Sequence, residues 1–85
     1  MRQIKTTLPE RITSLEEAKK YLTALYNNGE SYHPDDDAAD CLQGISKKDA
    51  KNMDSLMDQV CEIFKDNKED VYLFILGLSG HVMED

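Results

Sequence analysis

The chain has 85 residues, of which 40% are hydrophobic and 32% charged, and its net charge is −7. That length makes one domain with a small core, because a chain of this size buries only about 60% of the surface it exposes when unfolded. The hydrophobic share is too high for a disordered chain, and the acidic balance opposes direct contact with nucleic acid phosphates or anionic lipid, which calls for clustered Lys and Arg. With two prolines, four glycines and no Trp, long stretches lack helix breakers, so the expected fold is all-α, a small bundle of about four helices.

Residues 1–12 are mixed polar, contain Pro9 and show no period, and read as an N-terminal arm ahead of a helical domain over 13–85. Ser14 with Glu17 forms an S-x-x-E capping box, and Thr13 with Glu16 offers the same box one residue earlier. Leu15, Ala18, Leu22, Leu25 and Tyr26 then recur at helical spacing, and Asn27-Asn28-Gly29 supplies the left-handed stop that helix ends favour.

The stretch Glu30-Ser-Tyr-His-Pro-Asp-Asp-Asp-Ala-Ala-Asp40 is the densest chemistry in the chain, with five carboxylates, one histidine and no Lys or Arg. A second helix is expected to begin at His33 or Pro34, since proline suits the first helical position and Asp35, Asp36 and Asp37 would then meet the positive end of the dipole. In that register Ala38, Cys41, Leu42 and Ile45 face inward, Asp36, Asp37 and Asp40 face out, and Gly44 ends the helix.

Ser46 caps a third helix, with Asp49 three residues on, and the helix is expected to run to about Asn67. Met53, Leu56, Met57, Val60, Ile63 and Phe64 form its apolar stripe, with Cys61 at the edge. Across from the stripe, Asp54, Asp58, Glu62 and Asp66 follow one another four residues apart, so they form a slowly winding acidic ridge. Lys47, Lys48 and Lys51 sit where the dipole disfavours cations, and Asp35 to Asp37 or an acidic partner are the candidates to offset them.

Asp70 opens the last segment, Val71-Tyr-Leu-Phe-Ile-Leu-Gly-Leu78. Its residues would suit a buried strand, but a lone strand would leave its backbone groups unpaired, so a helix is expected. Val71, Phe74, Ile75, Leu78 and Val82 make one face. Tyr72, Leu73 and Leu76 make the segment apolar on a second side, which a second copy of the chain or another protein could cover. Gly80 would end this helix ahead of a tail from His81. The eight residues from 71 to 78 are far short of the about 20 that cross a membrane, and Met-Arg-Gln-Ile-Lys-Thr-Thr at the start has no apolar signal core, so a cytoplasmic protein is expected. In that reducing compartment Cys41 and Cys61 read as small buried hydrophobes rather than a disulfide.

Three chemistries are open to these residues. A divalent metal could use His33, the aspartates and Cys41, with Asp36 and Asp40 one turn apart to share an ion, but there is no D-x-D-x-D-G loop, and Cys41 would point away from Asp36 and Asp40. An enzyme would need Cys41 or Cys61 beside His33 or His81, or paired carboxylates in a cleft, and no local signature supports either. No catalytic, metal or cofactor residue is assigned on this reading. Recognition by charge would use Asp35, Asp36, Asp37, Asp40, Asp54, Asp58 and Glu62 to imitate a nucleic acid backbone toward a basic protein. The four tyrosines, Tyr21, Tyr26, Tyr32 and Tyr72, are either part of a contact surface or the bulky edge of the core.

The stretch from Leu22 to Leu42, with its Asn-Gly-Glu and His-Pro-Asp-Asp-Asp elements, resembles small uncharacterised acidic helical proteins of Bacteroides-type gut bacteria. The resemblance covers about a quarter of the chain. It implies a bacterial cytosolic protein and carries no activity with it. The expected function is therefore a non-catalytic protein-interaction module that works through a protein partner or as a homodimer. An acidic nucleic-acid mimic and a small metal-binding protein are the alternatives.

Overall fold

The computed structural model describes residues 3–64 and 68–78, and it is all-α. Among the described residues four helices follow in order: α1 (Leu15–Asn27), α2 (Ala38–Cys41), α3 (Lys47–Ile63) and α4 (Lys68–Leu78). α3 packs against each of the other three, and α1 also packs against α4. Ala18, Leu22, Leu25, Met53, Val60 and Val71 are fully enclosed at the centre, and burying each of the larger ones contributes roughly 1.5–3 kcal/mol.

α1 begins as its sequence predicts. The Ser14 hydroxyl accepts the Glu17 N–H at 3.1 Å, while the Glu17 carboxylate reaches back past Ser14 to accept from both the N–H and the hydroxyl of Thr13, each at 2.9 Å. These bonds to Thr13 are the main reason the Glu17 carboxyl lies below the ordinary carboxylate range. A carboxylate so depressed contributes stability that is complete above the pKa of free glutamate and is lost as pH falls through the lower folded-state value. The protection factor of the Thr13 amide, its exchange measured against the intrinsic rate at the same pH, should therefore fall on acidification in step with Glu17 titration followed by NMR, and a protection factor indifferent to that titration would contradict the cap.

The far end of α1 is a Schellman cap. Gly29, at φ +72°, lets its N–H reach the Tyr26 carbonyl at 3.1 Å and the Glu30 N–H reach the Leu25 carbonyl at 2.8 Å. Two residues of the expected stripe, Leu15 and Tyr26, are exposed instead, because the buried face of α1 centres on Ala18, Tyr21, Leu22 and Leu25.

The second helix departs from expectation. It spans only Ala38–Cys41, and His33 to Asp36 form a turn closed by the Asp36 N–H on the His33 carbonyl at 2.9 Å. Proline is favoured at the second position of such a turn as well as at the first position of a helix, and here the turn prevails. Asp35 and Asp36 thus lie outside the helix altogether, and Asp37 is its capping residue without making a side-chain cap bond. The first free N–H of α2, that of Ala38, is instead taken by Asp54 of α3 at 2.9 Å. Leu42 is buried as expected, but Cys41 is exposed. Gly44 follows in a left-handed conformation, φ +89°.

α3 starts at Ser46 as predicted, with the hydroxyl accepting the Asp49 N–H at 3.1 Å. Its last helical residue is Ile63 and Phe64 caps it, so the helix stops short of the expected end near Asn67; the ridge position Asp66 lies outside the described residues. Cys61 is buried. α4 is a helix, beginning two residues before Asp70. The expected positions Gly80, His81 and Val82 also lie outside the described residues.

Residues 3–12 carry no helix or strand but lie along the body. Thr6 and Ile12 are buried, and Ile4 and Leu8 pack against the core from outside. Two side chains fasten this segment. Gln59 of α3 accepts the Ile12 N–H at 2.7 Å, and Glu30, only 1% exposed, accepts the N–H of Lys5 at 2.7 Å together with the N–H and hydroxyl of Thr6. A residue of the acidic stretch therefore serves the interior.

Candidate interaction surface

The turn at 33–36, the middle of α3 and the start of α4 meet around a depression of about 200 Å³ walled by Pro34, Asp35, Asp36, Asp37, Asp54, Met57, Asp58 and Lys68. It unites the two acidic features that are separate in sequence, the aspartate triplet and the ridge. Two contacts hold the walls together. Lys68 pairs with Asp35 at 3.3 Å, and the rings of His33 and Tyr72 lie 4.3 Å apart, inclined by 48°. Both Lys68 and Asp35 are more than half exposed, so their ion pair orients rather than stabilises. Lys47, Lys48 and Lys51 form no ion pair with a described residue, because the triplet turns toward α4 and not toward the start of α3.

Asp54 is half-buried rather than outward. One of its carboxylate oxygens accepts from the Tyr32 hydroxyl at 3.0 Å and from the Ala38 N–H at 2.9 Å. Burial of the ring, and then the Asp54 charge, push the Tyr32 phenol well above its ordinary pKa. Asp58 and Glu62 remain exposed, so the ridge presents those two and not Asp54. Asp40 is exposed on α2. Beside it Cys41 is exposed and lies near Asp36 rather than pointing away from it. Partial desolvation, and then the Asp36, Asp40 and Asp37 charges, raise the thiol pKa. Such a thiol is a poor nucleophile and a poor ligand at neutral pH. Among the described residues no three His, Cys, Asp or Glu side chains converge where an ion could be held.

Next to the depression runs the outer side of α4. Tyr72 and Leu73 are 36% and 46% exposed, and Leu76 one turn on is half-buried. The inner side of the same helix is committed: Val71 is enclosed, and Phe74 meets Phe64 with ring centres 6.1 Å apart. Of the four tyrosines, Tyr21 and Tyr32 belong to the core and Tyr26 and Tyr72 to the surface.

Comparison with protein-family models, curated proteins and solved structures gives no match. The functional reading therefore rests on these residues alone. Among the described residues no helix is long and apolar enough to cross a membrane.

Proposed function

We propose that this is a non-catalytic, cytoplasmic protein-interaction module of bacterial origin whose working surface is the outer side of α4 with the adjoining acidic depression, and that a second copy of the chain is the first partner this surface serves. The observation that carries the reading is the exposure of Tyr72 and Leu73, side by side, on a helix whose other side already fills the core. Apolar residues grouped on a surface mark contacts more often than chance placements. Leu73→Glu tests it. The site is exposed, so the fold should keep its stability within about 0.5 kcal/mol, while self-association measured by sedimentation should be lost. Association that survives in the variant would move the interface elsewhere.

The gathering of Asp35, Asp36, Asp37 and Asp58 in one depression favours a second reading, an acidic surface that imitates nucleic acid toward a basic protein. The two differ in sign. Two copies that each carry −7 repel, so added salt should strengthen pairing through α4, whereas salt weakens contact with a basic partner.

A further inference from the structure

Among the described residues, an apolar-walled cleft lies between residues 7–12 and the side of α1 from Glu17 to Ala24, with Asn28 beyond the helix end. Its volume is about 500 Å³, within the range of small-molecule sites. Pro9, Ile12, Tyr21 and Ala24 supply its apolar walls, and Arg11 and Lys20 stand at its rim. In a chain of net charge −7, a cleft edged by two cations is an exception to the surrounding field. The one carboxylate lining the cleft, Glu17, accepts two bonds from Thr13 and also lies in the field of Arg11, while Lys20 has no ion pair with a described residue.

We infer that this cleft binds a small monocarboxylate with an apolar tail. The tail replaces water against Pro9, Ile12, the Tyr21 ring and Ala24, a transfer that favours binding in proportion to the apolar area covered. The carboxylate meets Arg11 and Lys20, which give charge-assisted hydrogen bonds. The fixed negative charge of Glu17 beside them selects a monoanion over a dianion such as phosphate. The geometry follows from the chain's own fastening: Glu30 and Gln59 hold residues 5–12 on the body, so the cleft exists before any ligand arrives and its ordering cost is already met.

The test is a titration of the full-length protein with sodium decanoate, followed by amide NMR shifts, with decanol and inorganic phosphate as separate arms. Decanoate should give saturable shifts at residues 7–12 and along α1 from Glu17 to Asn28, decanol should bind more weakly, and phosphate should not shift these residues. Arg11→Gln with Lys20→Gln, both at exposed positions, should leave the fold intact by circular dichroism and weaken decanoate about tenfold, the worth of one charge-assisted hydrogen bond. Ala24→Trp, which fills the cleft, should abolish the shifts. Equal affinity for decanol and decanoate, a response to phosphate alone, shifts confined to other surfaces, or unchanged decanoate affinity in the charge variant would each overturn the proposal.

Discussion

Glu30→Ala should lower the unfolding free energy by about 3 kcal/mol and the melting temperature by roughly 15–20 °C, the largest effect expected of any polar substitution in this domain. Glu30 is 1% exposed and gathers the Lys5 N–H, the Thr6 N–H and the Thr6 hydroxyl. Hydrogen bonds to a charged acceptor are worth about 1.5–3 kcal/mol each, and donors left buried without one keep their full desolvation cost. Because the Lys5 N–H can turn to water, only the two Thr6 donors count in full, and about 3 kcal/mol is the lower end of their sum. Glu30→Gln should cost about half as much, since its amide oxygen still accepts but its NH2 confronts a donor. Thermal unfolding of both variants checks the magnitudes. Loss of hydrogen-exchange protection at Lys5 and Thr6 in the alanine variant checks the cause, and a variant as stable as the parent would remove Glu30 from the account of how the N-terminal segment is held.

The second large effect is expected at Asp54. Asp54→Ala should cost about 2 kcal/mol, because the Tyr32 hydroxyl, on a residue 6% exposed, and the Ala38 N–H both lose their acceptor. Asp58→Ala, one helical turn away and exposed, should stay within about 0.5 kcal/mol of the parent. Chemical denaturation of the pair measures the contrast, and equal stabilities would mean that Asp54 is a surface acid after all. The contrast also decides which residues can report on charge. Asp58 and Glu62 can be neutralised without disturbing the fold, whereas loss of binding in an Asp54 variant would mix charge with unfolding.

The helices themselves were legible because their signals are local. Ser14 and Ser46 each precede an apolar stripe by the spacing a cap requires, Gly29 supplies the left-handed stop, and the segment from Val71 has nothing to pair with as a strand. The turn at His33 to Asp36 was not legible, because Pro34 suits a helix start and a turn equally well. The choice is made by Asp54, sixteen residues beyond Ala38, and no window on the sequence holds both. Asp54 does carry a faint signal in hindsight: it stands four residues after buried Ala50 and three before buried Met57, at the edge of the stripe rather than opposite it. Glu30 gives less. It stands in an acidic run and differs from its neighbours only in following Gly29, the residue that turns the chain back over the core.

For the candidate surface, the sequence named residues without showing how the fold arranges them. Asp35, Asp36, Asp37 and Asp58 come together because the turn faces α3 and α4, and Tyr72 joins them through His33. Cys41 falls beside Asp36 because α2 is one turn long and starts at Ala38, which rotates the cysteine outward from where a longer helix would have put it. The cleft beside α1 had no sequence signal, since one of its walls is a segment without periodicity.

The most direct measurement of the central claim is the molar mass of the protein in solution, by light scattering over a series of protein and salt concentrations. The interface proposed on α4 predicts a dimer that forms as protein concentration rises and becomes more stable as salt screens the like charge of the two copies. A mass that stays at the 9.7 kDa of one chain under every condition would contradict pairing through Tyr72 and Leu73.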